Sequence, residues 1–402
     1  MLKSRLFATA LLALLVATGC SSTATPSPAS SPATPTAGAL ATAAATPTAG
    51  APATAAATPI ATIKTPLNID FANFTNASAY LKSFGDGFVA AAKTVGFNIK
   101  EYDNNLDGPT AVNNANLMVQ DKPDIIIDAN GVAGVGDAMG KIFTASGIPC
   151  IAVNVEIPGC PFANFVTSQA GVDNATAIAP IAQAMGFTGK NTTVLLVQDA
   201  AGGTELNDVQ RYFYTTLAGL MPGLDVVKPA DITATTTTIG TTGIQVDGNG
   251  TIEDAFTAVK NVLPTIPSSQ RIIVAGMNDD VVQGAERAIS DAGRSSTSIF
   301  CGQGGSTVTV GLLRTDPSWV CEGTTFTAFW SEYVMAMVGA YFEGVKLPDF
   351  TSVGQAALTK ANVDQYYDSS GNVKALPPLD AGNAYLANVG ILQKFGNIPD
   401  LP

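Results

Sequence analysis

From residue 67 onward, short apolar runs alternate with stretches of helical period. Residues 67–71 alternate apolar and polar side chains as a strand does, and 79–95 carry apolar positions at helical spacing before Gly96-Phe97 closes them. A strand at 98–102, a helix at 111–119 and the buried-type strand 124–128 follow, then a helix at 134–145 and a strand at 149–154. The rhythm restarts with helix 176–185, strand 193–198 and helix 208–220. A polar, Thr-rich stretch at 233–242 interrupts it; helix 252–263, strand 271–275, helix 280–292 and strand 298–301 complete it. Strands alternating with helices predict parallel sheets with helices on both faces. The fold class expected is therefore α/β, as two Rossmann-like lobes in sequence with a cleft between them.

The segment before residue 65 has neither pattern. Lys3 and Arg5 precede an apolar run from Leu6 to Ala17, then small residues and Cys20. This order describes a secretory signal over residues 1–19, and the run is too short to span about 30 Å of hydrocarbon. Leu14-Leu15-Val16-Ala17-Thr18-Gly19-Cys20 resembles the bacterial lipobox, with Ala17 where Leu is commoner. The resemblance implies cleavage before Cys20, lipidation of its thiol and an extracytoplasmic protein anchored to the cell membrane. An ordinary secreted protein is the competing reading.

Residues 20–64 are almost wholly Ala, Thr, Pro, Ser and Gly, and the stretch 35–46 recurs at 47–58 with Pro52 in place of Leu40. Such a segment has too little apolar surface to offset its ordering entropy. It is expected to be a disordered tether whose reach is on the order of 35–40 Å. The remainder is long enough for two lobes, and 46% hydrophobic residues supply their cores.

A net charge of −12 argues against nucleic acid and against adsorption to anionic lipid, since both need Lys/Arg clusters. The absence of histidine removes His-based triads and His-ligated metal. Four of the five cysteines follow Cys20: Cys150, Cys160, Cys301 and Cys321. In an exported chain they suggest disulfides. Three connectivities are open to them; proximity favours Cys150–Cys160 and Cys301–Cys321, against the alternative of buried free thiols. No metal-ligand or C-x-x-C spacing occurs, so no metal and no cofactor are expected.

Several motifs carry a family likeness. Asp86-Gly87-Phe88, Val95-Gly96-Phe97 and Tyr102-Asp103-Asn104-Asn105 resemble the opening of ribose-type periplasmic binding proteins. Lys122-Pro123-Asp124-Ile125-Ile126-Ile127 and Ser146-Gly147-Ile148-Pro149 continue the likeness. In the second half, Asn278-Asp279-Asp280-Val281-Val282-Gln283-Gly284-Ala285 and Asp291-Ala292-Gly293-Arg294 are similar to the family's second-lobe segments. Residues 358–367 resemble the tail of related sugar binders. The resemblance implies a type I clamshell: a first lobe from 65–170 plus about 329–358 and a second from 171–328 plus about 359–402. It implies a monomer that captures a sugar or similar polar solute and delivers it to an ABC permease, with nothing turned over.

Ligands of such sheets lie beyond the carboxyl ends of parallel strands. That rule selects the loop 73–80, Asn130, Asn154, Arg211, Asn278, Gln303 and the segment 327–330. Tyr80 is a candidate to stack on a sugar ring, with Asn76 and Ser78 beside it. Asn154 stands where ribose binders carry Asp, and Val155 replaces their adjacent Arg, which argues against ribose itself. Arg211 matches the family arginine on the first helix of the second lobe, and its planar fork suits a polyol or carboxylate. Asn278 matches the asparagine before a helix, where an N-cap is the competing role; Asp279 reads as a cap or lobe-stabilising acid. Gln303 offers an amide where the family has an acid. Thr327, Phe329 and Trp330 are candidates for the hinge side.

Two weaker motifs are set aside. Gly134-Val135-Gly136-Asp137-Ala138-Met139-Gly140 departs from dinucleotide-loop spacing. The segment starting Asp103-Asn104-Asn105 lacks the calcium-loop Glu, having Asn114 at its twelfth place. Two other functions compete with solute delivery. A sensory module would present the same clamshell to a membrane receptor or kinase. A glycosidase would need two facing carboxyls across the cleft, which the mostly amide candidate set disfavours.

Overall fold

The computed structural model describes residues 66–401 apart from Ser78, without the side chains of Ala79, Tyr80 and Glu205. The expected signal, Cys20 and the tether lie outside the described residues.

The first sheet contains β1 (Asn68–Asn73), β2 (Asn98–Asp103), β3 (Ile125–Ala129), β4 (Cys150–Val153) and β5 (Phe162–Asn164). The second contains β6 (Thr192–Gln198), β7 (Thr238–Ile239), β8 (Gly243–Asp247), β9 (Arg271–Gly276), β10 (Ser298–Gly304) and β11 (Trp319–Thr324). Late in the chain β12 (Phe350–Ser352) returns to the first sheet and β13 (Ala356–Leu358) joins the second. The strand orders are β12-β5-β4-β3-β1-β2 and β13-β11-β10-β9-β6-β8-β7. Every pairing is parallel except β7–β8 and β11–β13. The Thr-rich interruption thus ends in a short antiparallel hairpin through Gly240, whose φ of 56° suits glycine.

Helices connect the strands: α1 (Ala79–Val95), α2 (Gly108–Asp121), α3 (Gly136–Ser146), α4 (Thr167–Ala184), α5 (Gly203–Leu206) and α6 (Asp208–Leu220). They continue with α7 (Ile252–Val262), α8 (Asp279–Asp291), α9 (Thr307–Thr315) and α10 (Trp330–Phe342). Three four-residue helices follow: α11 (Val363–Tyr366), α12 (Ala384–Ala387) and α13 (Leu392–Phe395). Local chemistry sets several starts. Asp107 accepts from the Thr110 amide at the head of α2 and Thr251 from that of Asp254 at α7. Central strands β3 and β6 are buried along their whole length, as their apolar runs 125–127 and 194–197 require, and Asp128, Thr192, Thr193 and Gln198 are buried with them.

The chain passes between the sheets three times, after β5, after β11 and between β12 and β13. The last crossing lies at residues 353–355, a few residues before the expected boundary at about 358. The expected division also assigned 359–402 to the second lobe. The start of that tail packs on the second sheet's side, with Arg314 paired to Asp364 and the Tyr367 hydroxyl bonded to that of Thr324, while further along the Asn383 amide donates to Ser352 O at 2.6 Å and that of Asn397 to Glu332 Oε1 at 2.6 Å. The physical reason is α10, which is buried on nearly every face and needs cover on all sides. Helices α1, α12 and α13 supply it.

Both cysteine pairs are bridged in the pattern proximity favoured. Cys150–Cys160 ties the start of β4 to the loop before β5, and Cys301–Cys321 joins register partners of β10 and β11.

Candidate functional site

Because the strands are parallel, their carboxyl ends carry the loops that meet between the sheets. There they enclose a cavity of about 410 Å³. Its walls include Phe74, Leu81, Leu106 and Asn154 from the first lobe, Asp199, Asn278, Asp280 and Gln303 from the second, and Phe165, Thr325, Thr327 and Trp330 at the crossings.

Asn154 follows β4 with φ of 70°. That left-handed geometry is tolerated by Asn better than by bulky residues. Its Nδ2 donates to Asn130 O at 2.9 Å, which orients the amide; its Oδ1 accepts no hydrogen bond among the described residues and is left for the cavity. Asn130 lies behind: its Oδ1 accepts from the Val132 amide. Gln303, at the end of β10, is buried, and its Oε1 accepts from Asn174 Nδ2 at 2.9 Å. Its Nε2 has no partner among the described residues, so both buried amides keep one polar atom for a solute.

Asn278 lines the cavity and caps α8. Its Oδ1 accepts from the Val281 amide at 2.9 Å, while its Nδ2 donates to Gly250 O at 3.0 Å and fixes the neighbouring loop. The competing role as an N-cap is therefore observed, on a residue that also lines the cavity. Asp279 is buried just below the wall, its Oδ2 accepting from the Ser306 amide and the Thr309 hydroxyl, each at 2.8 Å. Thr327 lies on the wall with its hydroxyl 2.9 Å from that of Thr325. The Trp330 indole is fixed by Nε1 donating to Thr325 O at 2.7 Å and packs against Phe84 and Phe165. Phe329 is half-buried against the core.

The remaining expected residues are placed differently. Arg211 is buried in α6 with Nη1 3.2 Å from Asp208 Oδ1, and it is not among the residues lining the cavity. Asn76 is exposed and engaged within its own loop, accepting from Asn73 Nδ2. Ser78 lies outside the described residues; Tyr80 is in the first turn of α1, but its side chain lies outside them too.

Two carboxylates on the wall escaped sequence reasoning. Asp199 directly follows β6, where the carboxyl-end rule reaches it, and Asp280 is one residue inside α8. Asp199 Oδ1 accepts from the amides of Ala201 and Gly202, while Oδ2 has no partner among the described residues. Burial raises its pKa above the ordinary carboxylate range. Asp280 is raised too, by burial and then by the adjacent Asp279 charge, and its side chain makes no hydrogen bond among the described residues.

Comparison with known proteins agrees with this geometry. Residues 69–342 match the family model described as a periplasmic binding protein domain. The chain belongs to the periplasmic binding protein family. Periplasmic binding proteins of solved structure share its fold at low identity. An ABC transporter solute-binding protein from Mycobacterium smegmatis, with bound glycerol, is 17% identical with a TM-score of 0.64, over 77% of this chain and 99% of that one. One from Agrobacterium vitis with bound allitol is 19% identical, TM-score 0.60, over 75% and 97%. A Caulobacter myo-inositol binding protein is 14% identical, TM-score 0.62, over 74% and 95%. No curated protein matches significantly.

Proposed function

We propose that this periplasmic binding protein captures a polar, sugar-like or polyol-like solute between its lobes and delivers it to an ABC permease. One observation carries the reading: a cavity at the facing carboxyl ends of two parallel sheets, where Asn154 Oδ1 and Gln303 Nε2 stand unengaged beside Trp330 and Phe165. Buried amides with spare hydrogen-bonding capacity suit hydroxyls, and an aromatic face suits the C–H-rich side of a sugar or cyclitol. The glycerol, allitol and myo-inositol bound by proteins of the same fold support that solute class. A thermal-shift screen of sugars, polyols, nucleosides and amino acids tests it, because a solute specific for the native state raises apparent stability. Stabilisation by sugars or polyols is expected. Stabilisation by amino acids or nucleosides alone overturns the reading.

The protein is further proposed to be tethered outside the cell membrane by a lipid on Cys20, with residues 21–64 as spacer. The lipobox-like sequence supports this. Wild type is expected to partition with membranes and Cys20→Ser to be released; equal release of both rejects the anchor.

A further inference from the structure

The charges on the cavity wall are one-sided. Asp199 and Asp280 both line it from the second lobe, and no Lys or Arg stands among the described lining residues. Neither carboxylate has a cationic partner among the described residues. Asp280 makes no hydrogen bond among the described residues, and Asp199 uses one oxygen on backbone amides while Oδ2 stays free. Arg211, the arginine expected here, is engaged with Asp208 instead.

The layer behind the wall supplies no counter-charge. Asp279 is buried there, and Glu322 is fully buried with Oε1 accepting from the Gly305 amide. Burial, and then the Asp279 charge, raise the Glu322 carboxyl well above its ordinary pKa, as expected of acids crowded without a cation. Asp280 lies in the first turn of α8, where the helix dipole favours a carboxylate's charged form.

The opposite wall is neutral. Its described lining from the first lobe includes Asn154, Phe74, Leu81 and Leu106, with Phe165 and Trp330 at the crossings. Lobe closure would strip water from two carboxylates. An anionic solute would add repulsion. A neutral polyol can donate hydroxyls to them but leaves the closed site with uncompensated negative charge, which is costly in a desolvated place. A protonated amine supplies the missing charge, and the aromatic rings add cation–π attraction. Resting on the solute-binding reading above, we propose that the preferred solute is a polyhydroxylated amine, an amino sugar or amino polyol. Its ammonium would lie between Asp199 and Asp280, and its hydroxyls would meet Asn154 and Gln303.

Titration calorimetry on the full-length protein with matched pairs tests this: glucamine against sorbitol, glucosamine against glucose, galactosamine against galactose. The measurements are made at slightly acidic pH, where the amines are charged. At least one amine is expected to bind about ten- to a hundred-fold more tightly than its neutral partner, the range for a charge-assisted contact. Asp280→Asn, a near-isosteric change, is expected to weaken the amines more than their neutral partners and so to erase most of that preference. Asp199→Asn provides the second variant, and its melting temperature reports whether the fold is retained. Neutral members binding as well as the amines, or a preference that survives both substitutions, overturns the charge assignment and leaves the solute-binding reading intact. If neither member of any pair binds and the thermal-shift screen also finds no sugar or polyol, both readings fall.

Discussion

Asn174 and Gln303 are 129 residues apart in the chain, yet the Asn174 amide donates to Gln303 Oε1 at 2.9 Å. Helix α4 thereby fixes the rotation of an amide at the end of β10. Gln303 lines the cavity; Asn174 does not.

That relationship gives a graded expectation. Gln303→Ala should weaken solute binding about five- to ten-fold, the loss of a neutral hydrogen bond to a buried partner. Asn174→Leu should weaken it less, about two- to five-fold, by freeing the Gln303 amide to rotate. Titration calorimetry with whichever solute the screen identifies reads both. Equal and large losses in the two variants would point to damaged packing, and an unaltered Gln303→Ala would remove that amide from the site.

Arg211 should matter to stability more than to affinity. Its guanidinium is buried against Asp208, whose carboxyl is raised by burial and lowered by Arg211. Arg211→Ala leaves that acid half-buried and unpaired, at a cost of about 1–2 kcal/mol. Affinity should stay within about twofold of wild type. A tenfold loss of affinity at unchanged melting temperature would place the arginine on the solute after all.

Acid groups inside the first lobe should make stability fall as pH rises. Burial pushes Asp128 up to about 7 from an ordinary 3.8, and its Oδ2 has no hydrogen-bond partner among the described residues. Burial raises Glu332 to about 7 as well, against the lowering effect of the Asn397 amide. A carboxyl with a raised folded pKa holds its proton longer when folded than unfolded. Its favourable contribution is therefore present at low pH and lost between about pH 4 and pH 7. Asp128→Asn cannot titrate and should flatten that decline by on the order of 1–3 kcal/mol. Urea unfolding at several pH values checks it; parallel profiles for variant and wild type would refute the assignment.

The bridge between β10 and β11 should be the more consequential of the two for the site, because β10 ends in Gln303 and Gly304. Replacing both Cys301 and Cys321 by Ala should cost about 2–4 kcal/mol, seen as a lowered melting temperature. Non-reducing peptide mapping should recover both bridges from exported protein; four free thiols would contradict the pairing.

The sequence made the frame legible because strands buried on both faces leave apolar runs, as at 125–127 and 194–197. The cavity followed where a polar residue ends such a run: Asn154 after β4, Gln303 in β10, Asn278 before α8. Asp199 obeys the same rule after β6 and was open to the same inference. Phe165 and Phe74 carry no such signal, since an aromatic beside a crossing reads like any core residue until three dimensions place it. Arg211 shows the opposite limit: matching a motif position does not tell whether an arginine faces the cleft or an acid one turn away. The ends of the second lobe were also hidden. A tail of four-residue helices has too few turns to show a period, and its packing on α10 is a long-range fact.

Strand β12 has a temporal consequence. The first sheet is begun by residues 68–73 but receives its edge from residues 350–352, and Glu332 meets Asn397 only once the tail is present. A chain emerging from its amino end therefore exposes the flank of β5 until almost all of it has appeared. Neither lobe can be finished ahead of the other, so assembly is held back to the close of emergence. Chains halted before residue 350 should remain open to protease in both halves, whereas contiguous lobes would have yielded a resistant first half.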